Sequence, residues 1–208
     1  MGEITKYIEK FLTYDNLQLK EIVKQDEKRN DIQPYVGPQV GKLLGLLIRA
    51  INAKKVLEFG TCLGYSTVWL AQALKETGGK LISIEYNTEL YETTKKNIES
   101  AGLSDVVELQ LGDANKIINN LEEDNVFDII LQDSDKVLYT TMLEKCIKLT
   151  RKNGLIIADD VLFKPMGIPE KFSMPVHEYV QKVFADDRLY TTILPIGDGV
   201  AISTKLCD

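Results

Sequence analysis

Three aspartates and one lysine carry the chemistry that is easiest to read in this chain. Asp133 follows the apolar run 127–131, Asp159 and Asp160 follow the run 155–158, and Lys136 stands three residues beyond Asp133. If the two runs form adjacent strands, the three carboxylates meet at one end, where like charges cost kilocalories unless a cation sits among them. An all-oxygen ligand set, with no His or Cys nearby in the sequence, suits Mg²⁺, Mn²⁺ or Ca²⁺ rather than zinc. Lys136 beside such a cation has its ammonium form disfavoured, so the expectation is a lowered pKa and a general base. The bland alternatives are helix caps splayed apart in solvent, and a surface lysine paired with Asp135.

A second stretch, Lys54 to Ser66, supplies a place for a cofactor. Val56, Leu57 and Phe59 make an apolar strand, Gly60 and Gly64 bracket a turn, and an amphipathic segment starts near Tyr65. A dinucleotide fingerprint G-x-G-x-x-G started at Gly60 would need glycines at 62 and 65, where Cys62 and Tyr65 stand. Without that phosphate cradle, the better fit is a ligand with an amino acid end and a nucleoside end, which S-adenosylmethionine is. Glu85 closes the next strand 25 residues after Gly60 and is placed to accept from two ribose hydroxyls. Gly112-Asp113-Ala114 closes the third and could line an adenine.

These residues need strands to position them. Apolar runs at 56–59, 81–85, 106–111, 127–131 and 155–158 alternate with helical periodicities, such as Tyr139, Met142, Leu143 and Cys146 between the last two. Strand–helix alternation predicts a mainly parallel, doubly wound α/β sheet with helices on both faces. The segments 189–195 and 200–204 are joined only by Ile196 to Gly199, too short for a crossover, so they form an antiparallel hairpin. Before the sheet, Ile4, Tyr7, Ile8, Phe11 and Leu12 predict one amphipathic helix. Leu19, Ile22 and Val23 predict another, capped by Asp15 or Asn16. The segment 161–175, with Phe163, Met166, Phe172 and Met174, reads as an apolar loop suited to an aromatic ring.

A 208-residue chain with 44% hydrophobic and 27% charged residues is the size of one domain, taken as 1–208 with 1–35 as a helical extension. A net charge of −6 gives no general attraction to nucleic acid or anionic lipid, and Lys20, Lys24, Lys28 and Arg29 read as a solvated helix face. No apolar run reaches the roughly 20 residues that span a bilayer, and the first residues lack a signal-peptide pattern, so a cytoplasmic protein is expected. The three cysteines, Cys62, Cys146 and Cys207, are widely separated and read as free thiols.

Taken in order, the turn 36–41 (Val-Gly-Pro-Gln-Val-Gly), Glu58 to Ser66, Ser83-Ile84-Glu85, Gly112-Asp113-Ala114, Asp133-x-Asp135-Lys136, Ala158-Asp159-Asp160 and the 194–199 hairpin resemble the cation-dependent O-methyltransferases of the caffeoyl-CoA and catechol group. The resemblance implies a class I methyltransferase, Rossmann-like fold with a seven-stranded sheet and a reversed C-terminal hairpin. It implies that Val36, Glu58, Gly60, Thr61, Ser66, Glu85, Ala114 and Asp133 contact S-adenosylmethionine, that Asp133, Asp159 and Asp160 bind Mg²⁺ (or Mn²⁺ or Ca²⁺), and that Lys136 and Asp133 are catalytic. A vicinal, catechol-like hydroxylated aromatic acceptor and a homodimer are also implied. Methylation of a hydroxylated tRNA wobble uridine and non-catalytic cofactor binding are the alternatives. The chain departs from the family pattern at Asp160, where Asn is usual, and at Gln132 and Ser134, where apolar or small residues are usual.

Overall fold

The structure, a computed structural model, describes residues 2–14, 16–33 and 35–207. Three helices come first: α1 (Gly2–Glu9), α2 (Gln18–Asp26) and α3 (Gly37–Ala50). Alternation then begins with β1 (Lys55–Phe59), α4 (Tyr65–Thr77), β2 (Lys80–Glu85), α5 (Thr88–Ser100), β3 (Val107–Leu111) and α6 (Ala114–Asn119). It continues through β4 (Phe127–Gln132), α7 (Val137–Leu149), β5 (Thr150–Ala158) and α8 (Glu170–Ala185) to the hairpin β6 (Leu189–Leu194) and β7 (Val200–Lys205). The seven strands lie in the order β3-β2-β1-β4-β5-β7-β6. Strands β1 to β5 pair in parallel, while β7 runs antiparallel to both β5 and β6.

This order brings the β1 and β4 carboxyl ends side by side, with β5 beyond, so Asp133 and Asp159 leave neighbouring strands at the same level: Gln132 pairs with Ala158 and Phe59 with Gln132. Adjacent β1 residues feed opposite faces, as the two-residue pleat requires. Val56 joins the core under α2, α3 and α4, whereas Leu57 and Phe59 join the one under α7 and α8. Glycine ends α4: Gly78 adopts φ 72° and its N–H returns to Leu74 O. Asn87 caps α5 by accepting from the backbone N–H groups of Glu89 and Leu90.

Three local expectations change. Strand β5 starts at Thr150, five residues before its apolar run, because Thr150 pairs with Phe127 ahead of an irregularity in the ladder. Half of the expected amphipathic entry is not buried: Ile4, Tyr7 and Phe11 are exposed, while Leu19 and Ile22 on α2 have no accessible surface. The capping alternative at Asp15 lies outside the described residues, and Asn16 does accept from the Gln18 N–H. The last part of the expected apolar loop is helix, since α8 begins at Glu170 and continues through Pro175, a residue that usually marks a break. No described helix is long and apolar enough to cross a membrane.

Candidate active site

A crevice of about 460 Å³ opens at the carboxyl ends of β1, β2, β3 and β4, lined by Gly60, Cys62, Glu85, Tyr86, Gly112, Ala114, Asp133 and Asp135 among others. Its size falls in the range of about 300–1,000 Å³ of small-molecule sites. A small adjoining cleft contains Val36, Thr61 and Ser66, with Gly60 and Asp133 common to both. A larger cavity of about 840 Å³ lies at the amino ends of β1 and β2, away from the strand-end acids.

The crevice exists because the loop after β1 turns sharply. Gly60 and Gly64 take φ 86° and 87°, and a Cβ on Gly60 would run into the Asp133 backbone. Only glycine permits both the left-handed conformation and that approach. Glu85 then holds the loop: its Oε2 accepts from Thr61 N, Thr61 Oγ1 and Cys62 N at 3.0–3.1 Å, and its Oε1 accepts from Asn87 N at 2.9 Å. The carboxylate expected to face two ribose hydroxyls is thus largely committed to its own chain, with Oε1 the oxygen that keeps capacity.

Beside the crevice, Lys136 is buried and its ammonium donates to three oxygens. These are Asp160 Oδ2 at 2.6 Å, Tyr139 OH at 3.0 Å and Asp133 Oδ1 at 3.3 Å. Burial alone would lower its pKa, but Tyr139, Asp133 and Asp160 outweigh burial and hold it well above the usual lysine value. The expected lowering belongs to a lysine beside a bound cation, whose charge would oppose the pull of these three oxygens. Burial raises Asp133 to about 6 against the opposing pull of Lys136. Asp159 is pushed well above the usual carboxylate range by burial and by the charges of Asp133 and Asp160.

The sequence pattern of the O-methyltransferase family matches residues 9–206. The chain belongs to the O-methyltransferase family. Its reaction class, methyl transfer from S-adenosylmethionine to an oxygen, follows from that membership. The chain is 39% identical over 142 residues to a catechol O-methyltransferase of Niastella koreensis, a match spanning 67% of this chain and 64% of that enzyme. It is 31% identical to caffeoyl-CoA O-methyltransferase 1 of Eucalyptus globulus over 80% of this chain and 72% of the relative. An O-methyltransferase from Bacillus cereus, solved in complex with SAH, superposes with a TM-score of 0.84 at 28% identity, covering 98% of this chain and 97% of that one.

Within this O-methyltransferase, Gly60, Glu85, Ala114 and Asp133 reach the crevice, and Val36, Thr61, Ser66, Gly60 and Asp133 reach the adjoining cleft. Glu58 lines neither. It is fully buried, accepting from Ser66 Oγ at 2.6 Å and from Thr67 Oγ1 and Ser83 Oγ at 2.7 Å. Burial raises its pKa to about 7 despite those three hydroxyls. Glu58 therefore fastens the start of α4 to β1 and β2, a structural part that its place beside Gly60 in the sequence does not reveal. Asp113 likewise serves as the N-cap of α6.

The metal-ligand set matches a hard divalent cation in chemistry: all donors are carboxylate oxygens, and the buried Asp159 Oδ1 has no hydrogen-bond partner. Among the described residues, however, no three acidic, His or Cys side chains converge on one point as they stand, and the Lys136 ammonium lies between Asp133 and Asp160. Gln132 and Ser134 contribute buried oxygens without partners, while the Gln132 amide nitrogen donates to Tyr179 OH at 3.2 Å. Tyr86 lines the crevice and Tyr139 pairs with Lys136 although motif spacing marks neither, while Asp135, from the Asp133-x-Asp135-Lys136 motif, lines the crevice too. Tyr86 directly follows Glu85, and Tyr139 lies one helical turn after Lys136, which are the signals that could have found them.

Proposed function

We propose that this enzyme methylates one of two adjacent hydroxyls on a small aromatic acceptor and does so with a bound divalent cation. The observation that carries the reading is Asp133, which lines the cofactor crevice and also belongs to the Lys136–Asp160–Asp159 cluster. Donor and acceptor therefore share one wall. The catechol and caffeoyl-CoA O-methyltransferase relatives support the acceptor class.

Asp133, Asp159 and Asp160 would hold the cation, which when bound supplies positive charge for two neighbouring acceptor oxygens. The glycine loop and Glu85 orient the cofactor. In the reaction the acceptor oxygen forms a bond to the methyl carbon as the carbon–sulfur bond breaks, the electron pair stays on sulfur, and the hydroxyl proton passes to Lys136 Nζ. As the side chains stand, Nζ is a donor, so it becomes a base only after Asp133 and Asp160 release it and its own proton leaves. Proximity and alignment supply most of the acceleration for such a displacement. A cytoplasmic setting is supported by three free cysteines, and a homodimer is part of the same reading.

The test is incubation with labelled S-adenosylmethionine and Mg²⁺ across a panel of vicinal diols, with and without chelator. Transfer that stops on chelation is expected. Transfer indifferent to the chelator would remove the cation from the mechanism, and no transfer to any vicinal diol would remove the acceptor class.

A further inference from the structure

Cys62 adopts φ 49° without being glycine. A left-handed conformation is costly for an ordinary residue, so neighbouring groups must hold it there. Glu85 holds the amide side of the loop. The carbonyl side is held from α5: Thr94 Oγ1 donates to Cys62 O at 2.6 Å, and one turn later Asn97 Nδ2 donates to Leu63 O at 2.8 Å.

Asn97 is only 3% exposed, and its remaining hydrogen bonds go to α2. Its Nδ2 donates to Gln25 Oε1 at 2.9 Å, and its Oδ1 accepts from Gln25 Nε2 at 3.1 Å and from Gln18 Nε2 at 2.9 Å. Asn16 adds a bond from α2's entry to the end of α5, donating to Ala101 O at 3.1 Å. The apolar residues Leu19 and Ile22 seat the same helix in the core. A surface extension would need no amide junction of this kind, buried and satisfied at both ends.

We infer that Asn97 is a positioning residue for the cofactor loop, through which α2 fixes the backbone that receives S-adenosylmethionine. Asn97 lines neither the crevice nor the cleft, whereas Cys62, whose carbonyl is fixed one turn away, lines both. Its effect falls on cofactor affinity and not on the methyl-transfer step. The inference rests on the strand-end crevice being the cofactor site.

Asn97→Asp keeps the size and the one acceptor oxygen, Oδ1, but sets a second carboxylate oxygen, in place of the Nδ2 donor, against Leu63 O. Its expected effect is about a ten-fold rise in the S-adenosylmethionine Kd and KM, with kcat at saturating cofactor within about two-fold of wild type. Gln25→Ala, which leaves the Leu63 bond in place, should raise Kd less, and the double variant should not exceed the sum of the two free-energy changes. Unchanged Kd in folded Asn97→Asp, or a fall in kcat with KM constant, would overturn the inference. So would melting temperatures that drop while cofactor affinity does not move. If Asn97→Asp does not fold, Gln25→Ala decides: a raised Kd supports the inference and an unchanged one sinks it. Wild type is titrated first, because failure of wild type to bind S-adenosylmethionine would instead refute the cofactor crevice.

Discussion

Asp160 Oδ2 lies 2.6 Å from Lys136 Nζ, closer than either other oxygen that the ammonium touches. Asp160 reaches it from a left-handed backbone position, φ 64°, a conformation that Asn and Asp tolerate better than most residues. Asn in place of Asp160 could therefore keep the backbone and lose only the charge. Asp160→Asn should weaken Mg²⁺ binding by about ten-fold, since fewer ligand charges lower affinity. It should also raise turnover of a catechol at saturating Mg²⁺, by loosening the grip on Lys136. Calorimetric titration with Mg²⁺ and initial rates on one diol check both, and a variant unchanged in both would show that the charge at 160 is irrelevant.

Glu58 makes stability depend on pH. Its folded pKa, about 7, lies above the ordinary 4.5, so the folded chain keeps a proton that the unfolded chain releases. The contribution is present in full below 4.5 and is lost as pH rises through about 7, an effect on the order of 3 kcal/mol. Urea midpoints measured at several pH values should show wild type losing stability over this interval and Glu58→Gln losing less. Parallel curves would place the pH dependence in other groups.

Two glycines with the same sign of φ separate strain from collision. Gly78 has φ 72° and open space where a side-chain methyl would stand, so Gly78→Ala should cost about 1 kcal/mol and leave cofactor binding alone. Gly60→Ala drives its methyl into the Asp133 backbone and should abolish S-adenosylmethionine binding as well as lower the melting temperature. Normal binding by Gly60→Ala would mean that this approach does not shape the crevice.

The entry helices should differ sharply under truncation of single side chains. Ile22 on α2 has no accessible surface, and Ile22→Ala should cost about 2–5 kcal/mol. Ile4 on α1 is 71% exposed, so Ile4→Ala should fall within about 0.5 kcal/mol of wild type. Equal losses in chemical denaturation would mean that the apolar face of α1 is covered in solution.

The strand runs, the glycine turn and the final hairpin were readable because each depends on local rules: a two-residue pleat, a left-handed glycine, a connection too short for a crossover. Pro175 and Thr150 misled the same rules. Packing under α8 carries that helix through a residue lacking an N–H, and pairing with Phe127 extends β5 beyond its apolar core. The site was legible as a set of residues. The partners were not, since Glu58 and Glu85 are alike in type and both sit within strands that end at the crevice.

By itself the sequence determined the order of strands and helices and the delivery of acids to the carboxyl ends of the sheet, since both follow from periodicity and chain connectivity. Only the tertiary structure decided which partners these acids and the lysine take. Three hydroxyls from α4 and β2 close around Glu58, loop amides occupy Glu85, and Asp133, Asp160 and Tyr139 accept from the Lys136 ammonium. A buried carboxylate or ammonium takes whatever donors or acceptors surround it, because leaving it unpaired costs several kilocalories, and those neighbours come from segments distant in the chain.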